Sequence, residues 1–228
     1  MYYKDFICKE KNINNNLIVF FIKKYLNKID NIILLDGRLL LTSKILKKNF
    51  DVNNNQINVS EIDKTTYVLQ RIANNNICTL YNNYLYETLK KFKNNKLARF
   101  NVFYFDYTCT LIGNKTTFPM EDINFSLSYT KHKKIIFALT FSPREGRGLF
   151  THRKNMKEQM SLDYLEKIFT FHKFKIIKSK IRSYKRTKKS MPMVFFLYYL
   201  KKDIMIDNSN VDFSIDESGN FEGFIKTK

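Results

Sequence analysis

Residues 101–107, Asn-Val-Phe-Tyr-Phe-Asp-Tyr, decide how the rest of the chain is read. An apolar, aromatic run ends in one carboxylate, Asp106, and Thr108-Cys109-Thr110 follows at once. A run this short, rich in Val and Phe, predicts a strand buried on both faces. A carboxylate just past the end of such a strand, in an α/β chain, stands where open parallel sheets bind ligands. The same shape occurs earlier, where Ile32-Ile33-Leu34-Leu35 runs into Asp36-Gly37. Two buried strands that deliver an acid to one edge predict a site. The plainer alternative is that each Asp only opens a turn or caps the next helix.

Outward from these two runs, strands and helices alternate. Leu17 to Leu26 has helical apolar spacing, with Lys23 and Lys24 between the apolar positions. Ile32 to Leu35 is a strand and Thr42 to Lys48 a helix. Ile57 to Glu61 alternates as a second strand that ends in an acid, before a short helix from Thr65 to Ile72. Ile77 to Tyr81 is the third strand, Tyr84 to Phe92 a helix, and 101–105 the fourth strand. Pro119 opens the next helix, with Glu121 and Asp122 beside its N-terminal dipole. Lys134 to Phe141 is the fifth strand and Met156 to Phe171 a long helix. Lys173 to Ile181 and Met193 to Leu200 close the series as two strands joined by a basic loop. This alternation predicts a mostly parallel central sheet with helices on both faces. The expected organisation is one α/β domain over 1–202 and a polar, acidic tail over 203–228.

Composition agrees with a globular chain and narrows its partners. The 228 residues suffice for one α/β domain with a real core, and only six glycines and three prolines argue against a sandwich or barrel of tight turns. Asn-rich tracts such as Asn53-Asn54-Asn55 read as loop filler and suit an AT-rich coding sequence, as in some viruses and parasites. A net charge of +19 favours phosphate backbones, with an anionic membrane surface as the competing partner. Cys8, Cys78 and Cys109 lie far apart with no CxxC, which indicates neither a disulfide framework nor a zinc module and points to a reducing compartment. His132, His152 and His172 show no metal-ligand spacing. The opening Met-Tyr-Tyr-Lys-Asp lacks signal-peptide character, and Met191 to Leu200 is too short to span a bilayer. An intracellular, cytoplasmic protein that is not in a membrane is expected.

The layout of five βα units followed by an antiparallel strand pair resembles the class I, Rossmann-like methyltransferases that use S-adenosylmethionine. The resemblance covers roughly residues 13–201. It is carried by Leu34-Leu35-Asp36-Gly37, Glu61, Asn82, Phe105-Asp106-Tyr107 and Phe137-Ala138-Leu139-Thr140-Phe141-Ser142. It implies that Asp36 and Gly37 line the methionine part of the cofactor. It further implies that Glu61 bonds the ribose, that Asn82 meets the adenine, and that Asp106 to Thr108, with Asp106 and Tyr107 catalytic, faces the methyl. The family's first loop carries several glycines, whereas Asp36-Gly37-Arg38-Leu39-Leu40-Leu41 has one. That departure implies a narrowed pocket, and a fold kept without its catalysis is the alternative.

Target chemistry follows from what the fourth-strand loop holds. Asp106-Tyr107-Thr108-Cys109 lacks the prolines of amino-methylating DNA enzymes, and Cys109 lacks the Pro expected before a C5 nucleophile. Ribose 2′-O transfer in the family uses a Lys-Asp-Lys-Glu set. Lys23 or Lys24, Asp106, and Lys178 or Lys180 fill three of its places, and the seventh strand offers no Glu. N7-guanine transfer needs only placement.

The densest basic run includes Lys178, Lys180, Arg182, Tyr184, Lys185, Arg186, Lys188 and Lys189, and Arg144 and Arg147 follow the fifth strand. Both runs are expected at the carboxyl edge, with the cations on phosphates and Tyr184 stacked on a base. The expected partner is nucleic acid, RNA ahead of DNA, and the expected cofactor is S-adenosylmethionine, with no metal. The rival is a non-catalytic nucleic-acid-binding or scaffold protein.

Overall fold

The computed structural model describes residues 9–93, 99–109, 111, 119–142, 154–185, 192–203, 205, 214–215 and 221–222; side chains of 93, 154–161, 214–215 and 221–222 are outside the description. Six helices are described: α1 (Lys9–Tyr25), α2 (Leu41–Asn49), α3 (Lys64–Asn74), α4 (Leu85–Lys93), α5 (Pro119–Tyr129) and α6 (Lys154–Phe171). The strands are β1 (Asn31–Leu35), β2 (Ile57–Ser60), β3 (Thr79–Tyr81), β4 (Phe100–Asp106), β5 (Lys134–Phe141), β6 (Phe174–Lys185) and β7 (Pro192–Lys202). A short separate pair, β8 (Ser214–Ile215) with β9 (Phe221–Glu222), lies in the tail.

The seven main strands form one sheet in the order β3-β2-β1-β4-β5-β7-β6. β1 to β5 run parallel, and β7 runs antiparallel to both β5 and β6. The strand order reverses between β1 and β4, so the crevice beyond their carboxyl ends is the switch point where open α/β sheets take ligands.

Alternation along the strands sorts the core into two layers. Ile32, Leu34, Val102, Tyr104, Ile136, Ala138, Phe195 and Leu197 pack under α1 and α2, with Ile18, Ile22 and Leu46. Ile33, Phe103, Phe105, Phe137, Leu139, Phe196 and Tyr198 pack under α4, α5 and α6, with Leu89, Ile123, Leu165 and Phe169. α3 turns a polar residue inward: Gln70 is fully buried and its amide donates to the Asp36 carbonyl at 2.8 Å, while Val68, Leu69 and Ile72 are exposed.

Three differences from the sequence expectation bear on function. α1 begins at Lys9, well before Leu17. Its early turns are polar, yet Asn14 and Asn15 are buried: Asn15 accepts from the Thr42 hydroxyl at 3.0 Å, and Asn14 accepts from Arg182 at 2.7 Å. The segment up to Lys185, expected as part of a basic loop, is strand. It is the edge strand of the sheet, and charged side chains on an edge prevent further strands from adding there. β6 also carries a bulge: Ile176 pairs with Leu200 but Lys178 pairs with Tyr199, so Ile177 is an extra residue. Before the bulge, Phe174 and Ile176 face the α6 layer; after it, Arg182 and Tyr184 face the α1 layer, opposite Phe195 and Met193.

Candidate active site

Asp36, Glu61, Asn82 and Asp106 lie at or just past the carboxyl ends of β1, β2, β3 and β4, four parallel strands, and so along one edge. Their environments differ sharply. Asp36 extends the Ile32–Leu34 side of β1 and points to the α1 layer. Its Oδ1 accepts from the Gly37 amide at 2.9 Å and from Thr42 at 3.4 Å. Its Oδ2 accepts from the Ser43 amide at 2.8 Å and the Ser43 hydroxyl at 2.9 Å. α2 needs this, because its N-cap position is Leu40, which has no side-chain oxygen for the orphan amides of the first turn. Asp36 supplies the cap from four residues upstream. Its carboxylate is committed to the fold as a helix cap.

The loop between them keeps a glycine-type backbone without the glycine. Leu40 has φ 53° and ψ 41°, the left-handed region, which costs a non-glycine residue about 1–3 kcal/mol. The Leu40 side chain is fully buried in the α1 layer, which offsets that strain. Around Gly37 the space is open: nothing beyond its chain neighbours lies within 4 Å of where a Cβ would stand.

Asp106 extends the Val102–Tyr104 side of β4 and also points to the α1 layer. Lys11, in the first turn of α1, meets it there: Lys11 Nζ donates to Asp106 Oδ2 at 2.5 Å and to the Tyr104 hydroxyl at 3.2 Å. The same ammonium lies 3.9 Å from Asp36 Oδ1 and 4.7 Å from the centre of the Tyr104 ring. Tyr104 is in turn within 3.4 Å of the Thr140 hydroxyl on β5. Burial alone would favour neutral Lys11, but the Asp106 carboxylate, with Tyr104 and Asp36, outweighs it and holds the amine protonated, above the usual lysine range. Burial likewise pushes the Tyr104 phenol up, chiefly against its ionisation. Asp106 Oδ1 is buried and has no hydrogen-bond partner among the described residues. A buried carboxylate oxygen without a partner is costly, so this atom is the one in the crevice that most needs a donor from outside.

Glu61 and Asn82 form a second cluster. Glu61 Oε1 accepts from the Asp63 amide at 2.8 Å, and burial raises its carboxyl above the ordinary range. The Asn82 amide donates to the Glu61 carbonyl at 2.8 Å and to the Ile62 carbonyl at 3.3 Å.

Tyr107 stands apart. It is the next residue after Asp106, so it points to the opposite layer, and its phenol donates to Asp122 Oδ2 on α5 at 2.7 Å. It is buried in the α4–α6 core and does not face the crevice.

Of the lysines read as partners for Asp106, Lys23 donates to Asn49 at 3.2 Å, and Lys24 lies over the Phe20 and Tyr25 rings. Neither pairs with Asp106; Lys11 does. One signal in the sequence could have found it: Lys11, Asn14, Asn15, Ile18 and Ile22 follow helical spacing on one stripe.

The basic residues divide too. β6 ends at Lys185 and β7 begins at Pro192, and this hairpin end lies at the carboxyl edge beside the end of β5. Lys178 and Lys180 are exposed but lie back along β6, Lys178 about 23 Å of strand from Lys185 at ~3.3 Å per residue. Arg182 bonds α1, and Tyr184 is buried beneath it, with the guanidinium carbon 5.4 Å from the ring centre. Arg144, Arg147, Arg186, Lys188 and Lys189 fall outside the described residues. Among the described residues no cluster of His, Cys, Asp and Glu could hold a metal, and no helix is long and apolar enough to cross a membrane. A groove of about 890 Å³ lies at the opposite edge of the sheet, lined by Asp30, Asp51, Gln56 and Arg99, away from the acids of the switch point.

No protein-family model matches the chain, and no curated protein matches it significantly. Solved structures do. An O-methyltransferase from Bacillus cereus, in complex with SAH, aligns with a TM-score of 0.56 at 11% identity, over 82% of this chain and 80% of its own. The fibrillarin pre-rRNA processing protein of Methanococcus jannaschii aligns with a TM-score of 0.54 at 12% identity, over 83% and 76%. The methyltransferase domain of bacterial CtHen1-C aligns with a TM-score of 0.51 at 10% identity, over 83% and 97%. The chain has the Rossmann-like fold of class I methyltransferases.

Proposed function

We propose that this chain, built on the class I methyltransferase fold, is an S-adenosylmethionine-dependent methyltransferase of nucleic acid, with RNA ahead of DNA and a ribose hydroxyl as the acceptor. The observation that carries the reading is the Lys11–Asp106 pair, an ammonium and a carboxylate with one unpartnered oxygen, at the switch point of the sheet.

The residues at the edge fit the cofactor's chemistry. The open space at Gly37 would admit the methionine part, the Glu61 carboxylate would accept from the ribose hydroxyls, and the Asn82 side-chain oxygen would accept from the adenine amine. When bound, S-adenosylmethionine supplies an electrophilic methyl on a sulfonium and leaves as the neutral thioether. Asp106 Oδ1 accepts a hydrogen bond from the acceptor hydroxyl and orients its lone pair. Asp106 would take the proton that the acceptor hydroxyl gives up on methylation. Lys11 is no base, since it is held protonated; it offsets negative charge on the attacking oxygen and fixes the carboxylate.

The nucleic-acid target is supported by the net charge of +19 and by the basic hairpin that ends at the same edge. The structural likeness to a pre-rRNA processing protein agrees with it. Replacing Lys185, Arg186, Lys188 and Lys189 with Ala should flatten the log–log salt dependence of binding by about two to four units if each meets a phosphate.

One observation favours the rival, a nucleic-acid-binding domain without catalysis: Asp36 is closed by its cap bonds, and Arg38, Leu39 and Leu40 stand where the family has glycines. Calorimetric titration with S-adenosylmethionine, then transfer of a labelled methyl to RNA, separates the two. Micromolar binding with transfer supports the enzyme. No cofactor binding, or binding without transfer to any nucleic acid, removes it.

A further inference from the structure

We infer that Arg182 is the positioning residue for Lys11, so that the basic hairpin and the reaction centre move as one unit; this rests on the role proposed above for Lys11. The geometry begins with Ile177, the extra residue of β6, which turns Arg182 toward α1. The guanidinium then forks. Nη2 pairs with the Glu10 carboxylate, while Nη1 donates to Asn14 Oδ1 at 2.7 Å and to the Glu10 carbonyl at 3.4 Å. The Tyr184 ring lies beneath it. Arg182 and Glu10 are each only a fifth to a quarter exposed, and Asn14 is fully buried.

Glu10 and Lys11 are consecutive residues of the first turn of α1, where amides have no intrahelical acceptors and the helix frays most easily. Cations at a helix N-terminus also oppose its dipole. Lys9, Lys11 and Arg182 all stand there, against one carboxylate of the turn, Glu10. A turn of that composition holds its shape only if something outside the helix fixes it. Asp106 fixes it on one side of Lys11, and Arg182 fixes it through Glu10 and Asn14 on the other. The hairpin that carries Arg182 is the one whose end, at Lys185 and Pro192, reaches the carboxyl edge. A nucleic acid that engages that end therefore pulls on the strand that sets Lys11.

The test is Arg182→Ala in the full chain, read two ways. The first does not need activity: acetylation of individual lysines by a small amine-reactive ester, followed by peptide mass spectrometry. Lys11 should be protected in wild type and react about tenfold faster in the variant, the size expected when one charge-assisted fork is lost. The second is methyl transfer: kcat should fall with KM for S-adenosylmethionine and RNA unchanged, and Arg182→Lys should recover only part, because an ammonium cannot fork to Glu10 and Asn14 together. Adding Arg182→Ala to Lys11→Met should lower kcat no further than Lys11→Met alone. If Arg182→Ala does not fold by circular dichroism, Glu10→Gln is read in the same way. Unchanged Lys11 reactivity in a folded variant overturns the inference, as does raised reactivity with unchanged kcat. If wild type transfers no methyl, the function proposed above falls, and the reactivity arm still decides whether Arg182 positions Lys11.

Discussion

The two layers of this sheet are made from the same strands and do different work. Under α4, α5 and α6 the core is rich in aromatics: Phe103, Phe105 and Phe169 each meet Phe137 edge-on or stacked, and Phe196 stacks on Phe141. Under α1 and α2 the core is mostly aliphatic, and its carboxyl end is polar: Lys11, Asp36, Tyr104, Asp106 and Thr140 share one network. The first layer is held chiefly by buried apolar area, with Asp122 and Tyr107 as a buried polar pair inside it. The second must keep charges paired in low dielectric, which contributes little to stability but fixes geometry. Alternation along β4 makes the division: Phe103 and Phe105 serve one layer, Tyr104 and Asp106 the other.

Five experiments can break or sharpen that contrast. Phe137→Ala, in the aromatic layer, should cost about 3–5 kcal/mol in denaturant unfolding. A loss under 1 kcal/mol would deny that this layer carries stability. Asp106→Asn, in the other layer, should lower methyl transfer by about 10²–10⁴-fold, the range for a general acid–base group. Joint replacement, Lys11→Met with Asp106→Leu, should leave stability neutral or raised by about 1–4 kcal/mol while activity is lost. Stability lost with the pair would mean that the ion pair is structural.

The fourth experiment uses pH. Asp122, in the aromatic layer, is pushed up to about 7 chiefly by burial, against the hydrogen bond from Tyr107. A carboxyl raised on folding binds its proton more tightly in the folded state, so its contribution is full below the ordinary Asp range and is lost as pH rises to about 7. His172 has the opposite sign: burial, with Lys202, lowers it to about 4. Its contribution is full above the ordinary His range and is lost as pH falls toward about 4. Relative to Asp122→Asn, wild type should therefore lose melting temperature as pH rises from about 4 to about 7; relative to His172→Gln, it should lose melting temperature as pH falls from about 6.5 to about 4. Identical profiles for wild type and Asp122→Asn would remove the titrating group from this layer. The smallest effect is Glu61→Ala, which should weaken S-adenosylmethionine binding by about 1.5–3 kcal/mol in calorimetry. Unchanged affinity would leave the ribose without its proposed acceptor.

Much of the fold was legible because buried parallel strands are continuous apolar runs. Ile32–Leu35, Val102–Phe105 and Ile135–Phe141 have no other economical reading, and the helices between them follow from length. What escaped were polar residues that are buried because a partner satisfies them. Lys11, Asn14 and Asn15 look like a solvated lead-in until Asp106, Arg182 and Thr42 are brought to them. Gln70 hides the inward face of α3 in the same way. Tyr107 was a different error. Two adjacent residues at the end of a strand point to opposite layers, so Asp106 and Tyr107 could not share one crevice, and period two alone would have told them apart. The basic stretch to Lys185 read as loop because its charges mask an edge strand.

Ile177 has a consequence for how this chain can change over generations. Most single-residue deletions in a strand are judged by the side chain removed. Here the count of residues matters more than the identity of any one of them. Loss of Ile177 itself would only close the bulge, because Lys178 would still pair with Tyr199. Loss of Ser179 or Lys180 beyond it would instead turn Arg182 and Tyr184 to α6, and Ile181 and Ser183 to α1. Glu10 would lose its cation although every residue of the site was still encoded. Descent in this protein is therefore constrained by length along β6, a property that substitution patterns do not record.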